Sequence, residues 1–243
     1  MHIFKHYFNR TLFDKTAILF AVALPVAIIF IMYFVNMATM PEEVINEFMA
    51  DGRNAFSSIL ITQLVMMFAL FSGASSTHFF YKDLKNDGVR DRLLSAPIKK
   101  NTYIISIISS TVTFAIVTSI ASVTITGITL NAHFTNLILL FLVILAFSIL
   151  GVFLNLLNFY LWKKENVTNI VSQILIWILS IIGGLFGNLE NFTPSLLRII
   201  MATPVSLGRN AIVYESYLQL GILTIWILAL AGICLILGRR NPI

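Results

Sequence analysis

Apolar side chains along this chain come in long blocks. Six blocks run over about 16–38, 57–79, 103–130, 136–161, 169–188 and 217–237, and each reaches the roughly 20 residues that a helix needs to cross the hydrocarbon core. Because backbone in lipid must satisfy its own hydrogen bonds, the pattern predicts six transmembrane helices. Residues 1–15, MHIFKHYFNRTLFDK, read differently. Ile3, Phe4, Tyr7, Phe8, Leu12 and Phe13 fall close to one helical face, and Lys5, Arg10 and Lys15 lie elsewhere on the wheel. That is the pattern of an amphipathic helix lying in a membrane interface.

The polar stretches between the blocks differ in charge. Residues 39–56 hold Glu42, Glu43, Glu47 and Asp51 against Arg53. Residues 80–102, FYKDLKNDGVRDRLLSAPIKKNT, gather Lys82, Lys85, Arg90, Arg92, Lys99 and Lys100 against Asp83, Asp87 and Asp91. The middle of that stretch predicts a short amphipathic helix, with Leu84 before a break at Gly88 and Val89, Leu93 and Leu94 after it, ended by Pro97. The connection near Asn131–Thr135 is short and uncharged, and residues 162–168 are short and basic. Residues 189–216 are broken by Pro194, Pro204 and Gly208, yet are too apolar for a free loop. They predict two short helices dipping back into the outer leaflet, where protein or water must cover irregular backbone.

Composition sharpens the membrane reading. The chain has 243 residues, 58% hydrophobic and 11% charged, with a mean hydropathy of +0.90; soluble domains carry about 25% charged residues. With both termini cytoplasmic, thirteen of the sixteen Lys and Arg side chains face inward, leaving Arg53, Arg198 and Arg209 outside. The positive-inside rule chooses that orientation. The net charge of +5 is explained in this way and gives no reason to expect nucleic acid. The first apolar block is longer than the core of a cleavable signal peptide and reads as a true first span. No linker or strong internal repeat interrupts the chain, so residues 1–243 are expected to form one domain. The fold class expected is an all-α membrane protein.

Candidate chemistry is sparse. No HExxH pair stands on a helix, and His2, His6, His78 and His133 are scattered. Ser72, Ser75 and Ser76 lie near His78, but two to six residues apart on one helix is poor geometry for proton transfer; small residues at a packing surface explain FSGASSTH better. Cys234 alone excludes a disulfide framework and a cysteine-ligated zinc site, and no metal site is expected. The spans hold essentially no buried charge of the kind ion-coupled carriers use. Their polar groups are neutral: Gln63, Asn155, Asn158, Asn169 and Gln173, with Ser106, Ser110, Thr113, Thr118, Ser122 and Thr126 along the third span. Those hydroxyls suit either helix packing or a mildly polar pathway wall. Gly183 and Gly187 have the spacing of a close helix contact. Gln63, Asn155, Asn158, Gln173, Gly183 and Gly187 are thus the candidates for a pathway wall or a dimer interface. No phosphate-binding loop of the GxxxxGK[ST] form is present, so any ATP hydrolysis of that kind must come from another chain.

The run NDGVRDRLLSAPIKKNTYIISIISS resembles the signature region of the type-2 permease family of ABC transporters. Asp87, Gly88, Leu93, Leu94, Ala96, Pro97, Lys99, Lys100 and Tyr103 fill the family's acidic, glycine, Leu-Leu, small, proline, basic and tyrosine places, while Val89 replaces its common Thr and Asp91 its Glu. The resemblance implies an interfacial N-terminal helix, six spans, a cytoplasmic coupling loop at 80–102 and a re-entrant external hairpin at 189–216. It implies a permease domain in a bacterial plasma membrane that is not itself an enzyme. Its partners would be two copies of a cytoplasmic ABC ATPase subunit, which carry the ATP and magnesium, a second permease chain (identical or related), and membrane lipid. Lys85, Asp87, Gly88, Arg90, Arg92, Leu93, Leu94 and Pro97 would form the ATPase-coupling helix, and Phe4, Lys5, Phe8 and Arg10 the interfacial helix beside it. The neutral, aromatic-rich spans suit an amphipathic or lipophilic cargo: a peptide toxin, an antimicrobial peptide or a drug. In kind it resembles exporters of phenol-soluble-modulin-like peptides. A non-transport accessory protein and an ATP-independent channel stand as the alternatives.

Overall fold

The computed structural model describes residues 2–39, 55–74, 83, 100–162, 164–183 and 194–240. Among these every regular element is helical. α1 is His2–Leu12. α2, Lys15–Ile18, runs through a π-helical turn at Leu19–Ala23 into α3, Leu24–Thr39. There follow α4 (Ala55–Ala74), α5 (Lys100–Thr129), α6 (Leu137–Leu161) and α7 (Glu165–Ile182). The last three are α8 (Pro194–Met201), α9 (Pro204–Val213) and α10 (Tyr217–Arg240). Among the described residues six helical stretches are long and apolar enough to cross a membrane, as the apolar blocks predict.

The π-helical turn has a local cause. Pro25 has no N–H to donate, and its ring crowds the carbonyl four residues back. The chain adjusts just before it, and the Leu24 N–H bonds to the Leu19 carbonyl, five residues back. The other prolines act at helix starts. Pro194 opens α8, and Pro204 opens α9 behind Thr203, whose hydroxyl accepts from the Ser206 N–H at 3.4 Å. At a first helical position the missing N–H costs nothing. Gly208 does not break a helix, contrary to the sequence expectation. It lies inside α9, where a Cβ would run into the Phe147 ring of α6. The fifth span also begins earlier than residue 169. α7 starts at Glu165, an acidic residue suited to a helix N-terminus, so the connection behind α6 is shorter than 162–168.

The core is built around α4 and α6, which among the described residues pack more extensively on one another than any other pair. Their crossing is close because both carry a glycine there. A Cβ on Gly73 would stand 2.5 Å from the Ser148 carbonyl oxygen, and one on Gly151 would strike the Leu70 backbone. Around that contact Ile61, Leu64, Leu70, Val143, Phe147 and Leu150 are buried, with Val205 and Ala211 of α9 and Leu223 of α10. A second cluster sits at the end of the bundle that carries α1: Tyr7, Tyr103, Ile107, Leu156, Phe159 and Cys234. Cys234 is a buried packing residue there, with its thiol 3.5 Å from the Phe153 carbonyl oxygen. α5 and α9 both stop on a residue in the left-handed region, Asn131 at φ 50° and Glu215 at φ 48°. In each the next N–H bonds five residues back, Ala132 to Gly127 at 2.9 Å and Ser216 to Ala211 at 2.8 Å, which closes off orphan carbonyls.

Candidate functional site

α1 forms over His2–Leu12, shorter than the predicted 1–15, and packs against the first turns of α5. Tyr7 faces inward and is 6% exposed. Phe4 and Phe8 stack at 5.9 Å between ring centroids, half-buried. Lys5, His6, Asn9, Arg10 and Phe13 line an open groove of about 430 Å³ on the other side. Phe13 is therefore not part of the packed face; it follows the last helical residue and is 78% exposed.

The inward face meets an acid from the basic loop. Asp83 is 5% exposed. Its Oδ2 accepts from the Tyr103 hydroxyl at 2.7 Å and from the Tyr7 hydroxyl, and the two phenol oxygens lie 2.7 Å apart. The rings of Tyr7 and Tyr103 meet edge to face, 5.9 Å between centroids. Burial, followed by the hydrogen bond to Asp83, pushes the Tyr7 phenol well above its ordinary range, so it stays a donor at physiological pH. Three segments far apart in sequence (the N-terminal helix, the basic loop and the first turn of α5) thus share one buried oxygen cluster. Tyr103 belongs to the sequence motif and Tyr7 to the amphipathic face. Asp83 carried no signal of its own, being one acid among six basic neighbours.

The proposed coupling residues Lys85, Asp87, Gly88, Arg90, Arg92, Leu93, Leu94 and Pro97 lie outside the described residues, as does Gly187. Of the interior candidates, Asn155 and Asn158 come together. Ser172 of α7 donates to the Asn155 side-chain oxygen at 2.9 Å and accepts from the Asn158 amide at 2.8 Å; all three are buried. Sequence reasoning missed Ser172, which falls on the same side of α7 as Thr168 and Ile176, one turn away on either side. Gln173 is exposed on another face of α7. Gly183 packs within the chain, where a Cβ would overlap Val205 of α9. Gln63 is half-buried and lines a cavity at the end of the bundle opposite α1. The hydroxyls of α5 bond to their own helix: Ser106 to Thr102, Thr118 to Phe114, Ser122 to Thr118 and Thr126 to Ser122, at 2.6–3.0 Å. Such back-bonding satisfies the hydroxyl without a neighbouring helix.

No curated protein and no solved structure matches the chain. A family model described as ABC-2 family transporter protein matches residues 35–238, which takes in the second to sixth spans up to residue 238 and only the end of the first. The chain therefore belongs to the ABC-2 family of transporter proteins, whose members are membrane subunits that work with a separate ATPase.

Proposed function

We propose that this chain is the permease subunit of an ATP-driven exporter in a bacterial plasma membrane. Two permease chains, identical or related, associate with two cytoplasmic ATPase subunits that hold the ATP and magnesium. The loop at 80–102 seats on the ATPase. Leu93 and Leu94 anchor it in an apolar pocket, and Lys85, Arg90 and Arg92 meet acidic groups. The cargo is an amphipathic or lipophilic molecule, of which a peptide toxin is the leading case. The pair α8–α9 dips into the outer leaflet and gates its exit.

One observation supports this reading most directly. The basic loop is tied through the buried Asp83 to both α1 and the third span. A displacement of Asp83 would therefore be passed to both α1 and the third span. Switching of this kind needs a two-state element biased by a ligand, and the ATPase supplies the ligand.

The test is reconstitution. The permease alone in lipid discs should show no ATPase activity, and co-purification with its ATPase should give activity that cargo stimulates. Arg90→Glu with Arg92→Glu should remove that stimulation while the permease still folds. Full stimulation after charge reversal would overturn the docking role. Purification without any nucleotide-binding subunit would favour an accessory protein, and ATP-independent conductance would favour a channel.

A further inference from the structure

At the end of the bundle opposite α1, a cavity of about 270 Å³ opens between the start of α4, the turn before α6 and the end of α9. Ile59, Leu139, Leu140 and Ile212 give it an apolar lining, and Gln63, His133, Asn136 and Arg209 a polar one. Part of the polar lining is held in place. The Ser58 hydroxyl donates to the His133 carbonyl at 2.8 Å and accepts from the His133 N–H at 2.9 Å, and the Asn136 amide donates to the Tyr217 hydroxyl at 3.2 Å.

Arg209 is the group this frame leaves unanswered. Its Nε is buried and has no hydrogen-bond partner among the described residues. A guanidinium offers five donors in a planar fork suited to an oxyanion and has no acceptor. A buried donor without a partner costs about 1–3 kcal/mol, so the site favours a ligand that brings an acceptor. The neighbouring surface selects the kind of ligand. Leu137 is 64% exposed, Ile138 is 70% exposed, and Val213 is 45% exposed. Apolar side chains exposed beside a span face acyl chains, and the cavity lies at a span end, where headgroups lie.

We infer that this cavity binds the phosphate of a membrane phospholipid, with Arg209 gripping the oxyanion, Gln63 and Asn136 beside it, and the acyl chains running down over Ile59 and Ile138. The binding is independent of the transport reading. It is a property of the permease chain alone.

The full-length protein is delipidated in a non-ionic detergent and titrated with a short-chain phosphatidylglycerol, and bound lipid is counted by native mass spectrometry. The first binding event should weaken about tenfold in Arg209→Gln and recover in part in Arg209→Lys. Diacylglycerol of the same chain length, which lacks the phosphate, should bind wild type no better than the Gln variant binds phosphatidylglycerol. Inorganic phosphate should compete only at far higher concentration. Ile59→Trp, which fills the cavity and leaves Arg209 intact, should give the same loss, and it covers the case in which the Arg209 variant fails to fold. Equal phosphatidylglycerol affinity in wild type and the Gln or Trp variants overturns the site. Equal affinity for diacylglycerol overturns the role of the phosphate, and competition by free phosphate at the lipid's own concentration overturns the lipid.

Discussion

Asp83 does more for this chain than its place in the sequence suggests. The two buried phenols can bond to one another, so removing the acid takes the acceptor from one donor, at about 1–3 kcal/mol. Asp83→Leu should therefore lower the melting temperature of the purified permease, and Tyr7→Phe should lower it less, because Tyr103 still donates to the acid. The pH dependence has a definite sign. The folded phenol of Tyr7 sits above its unfolded value near pH 10, so its contribution is complete below about pH 10 and is lost as the pH rises beyond it. In thermal melts from pH 8 to pH 11, Tyr7→Phe should lose less stability than wild type; equal losses would remove Tyr7 from the cluster. The sequence displayed two of the three members. Tyr7 was visible as a helical-face aromatic and Tyr103 as the tyrosine opening a span. Asp83 was invisible because no periodicity relates residues 20 and 76 positions apart, and only the fold brings them together. Ser172 was missed for a similar reason, since a single hydroxyl in an apolar block means nothing until two asparagines face it.

At the scale of elements, the close approach of α4 to α6 rests on two missing side chains. Gly151→Ala would force a methyl into the Leu70 backbone. Overpacking of this kind costs about 1–3 kcal/mol, and backbone cannot swing aside as a side chain can. The variant should melt at a lower temperature, whereas Gly221→Ala, which meets nothing within 4 Å inside a helix, should not lower the melting temperature and can raise it slightly. An equal effect at both positions would show that backbone freedom and not packing governs. The spans were legible because lipid demands long apolar helices, a constraint that needs no tertiary information. Their ends were less so. Glu165 reads as a loop charge in sequence but as a first-turn acid in the helix. Pro194 and Pro204 read as breaks, and they are indeed breaks, but of the kind that begin helices. Gly208 was misread because an α-helix tolerates a glycine wherever a neighbour needs the room, and Phe147 is far away in sequence.

For the whole molecule, the spans place α1, Asp83 and the end of α10 at one end of the bundle and the Ser58–His133 contact at the other. This geometry makes the orientation testable. With the buried Cys234 as background, Lys5→Cys and Arg239→Cys should resist a membrane-impermeant maleimide in intact cells, and His133→Cys should react. The reverse pattern would invert the topology drawn from charge. Burial is uneven across the bundle. The window through α4 is 67% buried, while those through the first and last spans are 11% and 17% buried, so much of the apolar surface is left to lipid or to a second chain. The π-helical turn at Leu19–Ala23 joins one of these loosely held spans to α1, which is fixed to Asp83. A π-turn holds one residue more than the α geometry around it, and one residue of helix amounts to about 100° of rotation and 1.5 Å of rise. A change of register at this turn would therefore rotate and shift α1 relative to α3 by about that amount.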